Sequence, residues 1–583
     1  MIKKASMFLA TLALLGIFVT SASAQLTGGR VTGSVVDQNA AAISAATVNL
    51  RNKATGQTLT TQTESGAFNF PNALPGDYEI TIEASGFQSI TQVVTVVLNQ
   101  ESAVNATLQA GGVGNVTVDV TASSEALVQT DSSQLGRTFS TQLVQNLPIF
   151  GSQNQLALLS PNVADRSGGV LGSGGSVGGT RPRGNVFTVD GVDNNDPSVT
   201  GPVAGVIQDA VGEFTLLQNT YNAEFGGGGG GQFVTVTRSG TNEFHGSGFV
   251  YGQHQRLNAA STAEESQLQS GEISVKPRFR NTRYGMTLGG PIVKNKLFFF
   301  GALERTHNST GGSGEAFLAP TAPGLAQLFC LPGVRPCIVN LLQNNVTLAT
   351  AETDRVDVFG ASIPVGQVAV NVPAGFFDKS YQLNIDYNRG STDSFRFRYN
   401  TSDFSQEQAG LGSPLFNNFS VAESRLFSTT WVRNISSNVV NNLRLSDRRL
   451  ITDAPLVNAA NLAFPNITVE PLSLQIGPQG NLPQSGADNV YQVFDALTYI
   501  RGKHNFKFGA EFRRTLTNSI FLSRGRGDYL YSDFETLLLD LPPEGRDGLR
   551  GVGNGANVLN FSTYNFFVQD DWRVRPNLTL NLG

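Results

Sequence analysis

From residue 381 onward apolar and polar side chains alternate with a period of two. Tyr381, Leu383, Ile385 and Tyr387 stand against Gln382, Asn384, Asp386 and Asn388. A turn at Arg389 to Ser394 follows, after which Phe395, Phe397 and Tyr399 alternate with Arg396, Arg398 and Asn400. Successive side chains of a strand point to opposite faces, so this pattern predicts a β-hairpin with one apolar and one polar face. The period returns where Phe506, Phe508, Ala510 and Phe512 alternate with Lys507, Gly509, Glu511 and Arg513. It returns again where Tyr564, Phe566, Val568, Trp572 and Val574 alternate with Asn565, Gln569, Asp571 and Arg573, and Leu578, Leu580 and Leu582 follow a turn at Arg575 to Asn577. A soluble sandwich also has one apolar face. Runs of about nine to twelve residues with aromatic side chains toward their ends instead match the roughly 9 to 11 residues with which a strand crosses a bilayer obliquely.

The first part of the chain is patterned differently. Short β-rich runs at Arg30 to Val36, Thr47 to Arg51, Phe68 to Phe70, Tyr78 to Glu83 and Gln92 to Leu98 are separated by turn residues, which predicts a small β-sandwich. Between Gly111 and Gly240 lie glycine-rich loops, a helix-compatible run from Thr141 to Ser160, and apolar strands at Val186 to Val189 and Phe233 to Thr237. Six consecutive glycines, Gly226 to Gly231, lead into a strand, with no helix and no Lys-Ser or Lys-Thr after them, so they carry no phosphate-loop reading. Their use is backbone freedom and close approach, or simple flexibility as a linker.

Composition agrees with a β-rich, exported chain. Of 583 residues only 15% are charged and 64 are glycine, a balance that suits strands and turns. Lys3 and Lys4 precede an apolar run from Met7 to Val19 and then Ala22-Ser23-Ala24, which predicts a signal peptide cleaved after Ala24. No later run reaches the roughly 18 apolar residues of a transmembrane helix, so any span must be β. A net charge of −5 without a Lys/Arg-rich run removes the footprint of a nucleic-acid binder.

Candidate chemistry is sparse. Cys330 and Cys337 bracket Leu-Pro-Gly-Val-Arg-Pro in a loop-like stretch of an exported chain. Periplasmic oxidation favours a local disulfide, and two free thiols are the alternative. Asp190, Asp193 and Asp196 are close in sequence, but lack the spacing and terminal Glu of a calcium loop and read as a hydrogen-bonded turn. His245, His254, His307 and His504 are scattered with no pair at ligand spacing, so no metal or other cofactor is expected. No nucleophile, base and orienting acid can be placed together, and the chain is not read as an enzyme.

Several stretches resemble known families. Gly33 and Asp37, Ala46-Thr47-Val48, Gly66, Phe68 and Phe70, and Leu74-Pro75-Gly76 with Tyr78 resemble the carboxypeptidase regulatory-like domain, a transthyretin-like sandwich. Ala40-Ala41-Ala42 departs from that family's Gly-Pro turn chemistry, and without His or Cys the segment has no carboxypeptidase metal site. Gln142 to Pro148, Leu158 to Val163, Arg183-Gly184 and Val189 to Asp193 resemble successive landmarks of a TonB-dependent receptor plug. Asp209 to Phe214, with Glu213 and Phe214, then Tyr221 to Gly226, with Glu224, Phe225 and Gly226, and Val236 to Gly246 resemble the Oar-like subgroup, as do Gly289 to Val293 and Leu297 to Phe300. Asp190-Gly191 belongs to the same plug motif.

The resemblance implies a mainly β chain in four parts: signal peptide 1–24, β-sandwich 25–112, plug 113–240 and part of an antiparallel transmembrane β-barrel at 241–583. It implies a place in the outer membrane, in contact with lipid, and TonB-dependent import of an unidentified extracellular ligand energised by the TonB–ExbB–ExbD complex. Val116-Thr117-Val118-Asp119-Val120 is an extended, β-branched strip where such receptors present a TonB box, to be recognised by β-augmentation; an ordinary linker strand is the alternative. Arg181, Arg183, Asp193 and Asn194 are the candidate ligand contacts at the plug apex, where an arginine suits an anionic or carbohydrate ligand or makes a structural salt bridge. A competing function is a surface adhesin or glycan-binding protein that uses the sandwich and anchors by its strands; a secreted metallopeptidase is the third. The sequence stops at Gly583 just as an alternating strand begins, and the 343 residues after Gly240 supply about half of the roughly 22 strands of the resembled barrel. The chain is therefore expected to be incomplete.

Overall fold

A computed structural model gives the architecture. It describes residues 28–583 apart from 99, 112–114, 118–132, 148–151, 166–172, 199, 271–275, 277, 312–315, 370–372, 409–412, 546 and 576–577. The predicted signal peptide lies outside the described residues.

Alternation builds the N-terminal sandwich. A three-stranded sheet places Gly29–Asp37 between Ala67–Ala73 and Glu101–Leu108, and a five-stranded sheet runs in the order Thr58–Gln62, Thr47–Asn52, Gly76–Glu83, Ser89–Val96 and Asn115–Thr117. Every second residue points inward, so Val31, Val35, Val48, Leu50, Ile80 and Ile82 are fully buried between the sheets. Gly33 is required there, because a Cβ would lie 1.8 Å from the Val104 carbonyl oxygen.

The second unit is a five-stranded sheet in the order Val192–Asp193, Val186–Val189, Gln232–Thr237, Val211–Asn219 and Leu135–Ser140. Its core is aromatic: Phe139, Phe187, Phe214 and Phe233 pack face to face or tilted at 4.7 to 6.1 Å. The helix expected from Thr141 to Ser160 is only a short α-helix, Thr141–Asn146, and a 3₁₀ turn, Gln153–Leu159. Pro148 between them has no amide hydrogen to continue a helix.

The third unit is one antiparallel sheet of eleven strands, from His245–His254 to Leu578–Leu582. Its burial pattern decides between soluble sandwich and membrane barrel. The polar members of the alternation face inward, with Asn384 at 0% and Asn400 at 1% exposure, while their neighbours Leu383 and Tyr399 stand at 46% and 39%. A soluble fold buries the opposite face; an apolar exterior around a polar interior is the arrangement of a transmembrane barrel. The strands run well past the alternating stretches, 17 residues for Pro373–Arg389 and 20 for Ala556–Arg575, because their ladders continue beyond the apolar band.

The two rims differ. Connections at 294–296, 390–392, 437–438 and 502–503 are tight turns, whereas those at 255–278, 312–372, 454–483 and 522–555 are long. Short turns mark the periplasmic rim and long loops the extracellular one. The outer loops fold into a cap of their own. Helices Ala322–Cys330 and Pro336–Asn345, the sheet Ala316–Pro320, Ala361–Ala369 and Asp354–Val358, and a second small sheet including Asn466–Val469 and Asp528–Tyr531 bury Leu328, Val339, Leu342, Ile363, Phe416 and Leu474 together. Thr321 starts the first helix by accepting the Gly324 amide at 3.1 Å, and proline stands in the first turn of both helices, where its missing donor costs nothing.

The expected disulfide is not formed. Cys330 and Cys337 are free and exposed. Each is fixed to its own helix, and those helices turn Leu325 and Leu328, and Ile338, Val339 and Leu342, into the cap, leaving both thiols on the solvent side.

Candidate functional site

The plug sheet sits against the inner wall of the barrel, and a two-residue turn makes the central contact. Val189 pairs with Val192 across Asp190-Gly191, which have φ of +49° and +73°, the type I′ geometry that favours Asp-Gly. The Asp190 carboxylate accepts the Thr237 amide at 3.0 Å and its hydroxyl at 2.7 Å, tying the turn to the neighbouring strand. Its second oxygen faces Arg398 of the barrel at 3.8 Å, and Arg398 also pairs with Asp386 at 2.8 Å. Asn384 donates to Thr237 Oγ1 and to the Arg238 carbonyl.

Asp193 lies higher in the barrel, between Arg513 at 3.2 Å and Arg448 at 3.8 Å, and its amide donates to Gln492 at 3.2 Å. Glu224 meets Lys507 at 3.0 Å, while the Ala223 amide donates to Gln569 at 2.9 Å. Acids on the plug thus face cations on the wall. Arg398, Arg444, Arg448, Arg513 and Lys507 were not singled out as site residues from the sequence; the signal available was that cations occupy inward positions of the alternation.

The plug motif divides by role. Phe214 is fully buried in the aromatic core, and Phe225 packs with Leu217, Val234, Val236 and Leu98. Gly184 and the glycine run approach each other closely. Gly230 donates to the Gly184 carbonyl at 2.9 Å, and a Cβ at Gly228 would lie 2.3 Å from the same oxygen. Gly226 has open space around it, so close approach is the work of the later glycines.

The sandwich reaches this assembly at the periplasmic rim. Gln57 donates to Ser394, Arg573 pairs with Glu101 at 3.4 Å, and the Asn242 amide donates to the Ala54 carbonyl at 2.9 Å. The Leu98 amide donates to the Glu213 carboxylate at 2.9 Å, and burial pushes that carboxyl up to about 7 against the effect of this hydrogen bond.

The four expected ligand contacts do not form one group. Asp193 is buried between Arg448 and Arg513, and Asn194 is buried with its side-chain amide spanning the backbone of Ala204 at 2.8 and 2.9 Å, so the partners of both lie within the plug and the barrel wall. Arg181 and Arg183 are exposed, and Arg183 donates to the Ser198 carbonyl at 2.8 Å. Because Val186–Val189 runs toward the inner rim, the residues before it stand on its outer side. Asp190, Asp193 and Asp196 turn to different partners, Asp196 capping the Ser198 amide at 2.7 Å, and among the described residues no group of three metal-ligating side chains converges. Of the strip Val116 to Val120, Val116 and Thr117 lie in a strand paired with the sandwich, while Val118, Asp119 and Val120 lie outside the described residues.

An apolar-outside sheet with a separately folded, ion-paired sheet against its polar inside defines a plugged outer-membrane barrel. Comparison with known proteins agrees. The family model for the outer membrane beta barrel domain matches residues 236–583, and that for the carboxypeptidase regulatory-like domain matches residues 30–109. The chain belongs to the outer-membrane β-barrel family, and its N-terminal sandwich matches the carboxypeptidase regulatory-like domain. It is 29% identical over 255 residues to the TonB-dependent transporter Oar of Myxococcus xanthus, a match covering 42% of this chain and 23% of that protein. It is similar in fold to the outer membrane transporter YddB of Escherichia coli, with a TM-score of 0.50 and 10% identity, covering 75% of this chain and 55% of that one. The chain thus spans less than two thirds of either relative.

Proposed function

We propose that this chain works as a TonB-dependent receptor that takes up an extracellular ligand by energised movement of its plug, with the sandwich, plug and barrel at 25–112, 113–240 and 241–583. One observation carries the reading: a sheet with its own aromatic core is held to the barrel wall by four charge contacts, Asp190–Arg398, Asp193–Arg448, Asp193–Arg513 and Glu224–Lys507. Such contacts hold a unit in place and let it leave without unfolding the wall. Arg181 and Arg183, on the outer side of the plug, are the residues we assign to an anionic or carbohydrate ligand. The strip Val116 to Val120 is the segment we assign to TonB, and the TonB–ExbB–ExbD complex supplies the energy. The name of the relative Oar supports this class of transport.

The test is Val118→Pro, which removes a main-chain donor from the strip. Capture of a purified TonB C-terminal domain and energised uptake are expected to be lost, with surface binding of ligand intact. Unchanged capture overturns the assignment of the strip. Ligand binding that persists without accumulation, and that a protonophore does not alter, points instead to an adhesin.

A further inference from the structure

We infer that the N-terminal sandwich is a bracket that fastens the plug to the periplasmic rim of the barrel, with Leu98 as its bolt: the plug must come off Leu98 before it can leave the barrel wall. The inference rests on the proposed function for the movement of the plug and gives the sandwich a mechanical role in it.

The bolt is a side chain buried outside its own domain. Leu98 comes just after the sandwich strand Ser89–Val96 and is fully buried, while the core between the sandwich sheets is built from other residues, among them Val94, Val96 and Val104. The apolar neighbours of Leu98 are Leu217, Phe225, Val234 and Val236 of the plug. Alternation along the plug strands makes these a second face: Leu216 and Phe233 turn into the aromatic core, and Leu217 and Val234 turn away from it. An apolar face must be covered by another element, and here Leu98 of the sandwich contributes to the cover. Its amide is satisfied at the same place, by the Glu213 carboxylate at 2.9 Å, so side chain and main chain of one residue are both docked on the plug.

A second set of contacts holds the sandwich to the wall. Gln57 donates to Ser394 at 3.0 Å, and the Ala54 carbonyl accepts the Asn242 amide at 2.9 Å. Asn242 in turn exchanges two hydrogen bonds of 2.8 Å with Asn295 in the tight turn 294–296. Gly56, with φ of +73°, lies against the same turn, where a Cβ would come within 2.5 Å of Asn295 Oδ1. Glu101 adds its ion pair with Arg573 at 3.4 Å. The two attachments differ in kind. Those to the wall are polar contacts spread over several barrel residues, whereas the attachment to the plug is centred on one leucine. Dispersion and burial act only at contact, so a plug displaced by the length of one side chain has lost that attachment, while the distributed hydrogen bonds keep the sandwich on the rim.

The test uses the full receptor, purified in detergent, with Cys330→Ser and Cys337→Ser removing the native thiols. Asn400→Cys, an inward wall position at 1% exposure, reports departure of the plug through its reaction with a maleimide, read by peptide mass across a urea series. At a urea concentration where this parent labels slowly, Leu98→Asp should label about tenfold faster or more, as loss of a buried leucine demands, and Leu98→Met, of similar volume, should label at the parent rate. Bridging Leu98→Cys to Val236→Cys with a short reducible bismethanethiosulfonate should slow labelling by a similar factor, and dithiothreitol should restore it. Equal rates in Leu98→Asp and the parent, or in the bridged and reduced receptor, overturn the inference. A Gln57→Cys to Ser394→Cys bridge made with the same reagent checks that the sandwich keeps its seat in Leu98→Asp; where that bridge is lost, Leu98→Ala takes its place in the comparison. None of these readouts uses TonB, which separates the two proposals. Where Val118→Pro leaves TonB capture unchanged and Leu98→Asp frees the plug, the strip is misassigned and the bracket stands; where Val118→Pro abolishes capture and Leu98→Asp frees nothing, the strip stands and the bracket falls.

Discussion

Arg444, on the barrel wall, donates from Nη1 to the carbonyl oxygen of Gly191 on the plug at 2.5 Å, and its guanidinium occupies the space where a side chain at residue 191 would begin. A Cβ there would lie 2.1 Å from Nη1. The turn and the wall are therefore fitted to each other: Gly191 takes the left-handed φ of the turn and leaves room for the cation that seats it.

Gly191→Ala meets both demands at once. The left-handed backbone alone costs about 1–2 kcal/mol, and Arg444 must also move. The plug of this variant is expected to loosen, read as faster proteolysis of the plug and greater sensitivity of cells to large antibiotics. Gly205→Ala, at a plug position with nothing within 4 Å, should leave both unchanged. Equal behaviour of the two variants would contradict the fit.

Asp193→Asn leaves Arg448 without its ion-pair partner, whereas Arg513 keeps Glu511 at 2.8 Å. Asp196 and Asp488 still act on Arg448, so the cost should stay below the about 3–5 kcal/mol of a fully unpaired buried charge, and the plug should release at lower urea than in the parent protein. Adding Arg448→Met to Asp193→Asn should recover part of the loss. An additive double variant would show that the two residues do not act on each other.

The contact between sandwich and plug should depend on pH. The Glu213 carboxyl titrates at about 7 when folded against an ordinary 4.5, so between these values the folded state holds a proton that the unfolded state has released. Stability therefore falls as pH rises from about 4.5 to about 7 and is level on either side. The protection factor of the Leu98 amide, which donates to Glu213, should fall across that window once the base-catalysed intrinsic rate is divided out. Glu213→Gln keeps an acceptor without a charge and should abolish the dependence; the same pH response in that variant refutes the assignment.

Cys330 and Cys337 should both react with a membrane-impermeant maleimide on intact cells without reductant, because both thiols are free and exposed on the extracellular cap. Labelling that appears only after reduction would show a disulfide.

Much of the architecture was legible in local pattern. The period-two alternation of Tyr381 to Asn388 and its repeats gave the hairpins, the short runs from Arg30 to Leu98 gave most of the sandwich strands, and Asp190-Gly191 and the glycine run gave a turn and a close approach. These features reside in residues a few positions apart, where side-chain direction and backbone freedom follow from residue type. The direction of the apolar face was not in the pattern, since alternation reads alike for a sandwich and a barrel; burial of Asn384 beside exposed Leu383 decided it.

What the tertiary structure alone decided are the pairings across long stretches of chain. The burial of Asp193, a candidate ligand contact in the sequence, was not legible there because its partners, Arg448 and Arg513, come from strands more than 250 residues away. The cap core joins four separate loops, and it turned a loop-like segment with two cysteines into two helices with their thiols outward. Sequence fixes which residues can be strand, turn or apolar face, because those are properties of neighbours. Which acid meets which cation depends on how the plug is seated in the wall, and only the folded chain brings those charges to within a few ångströms.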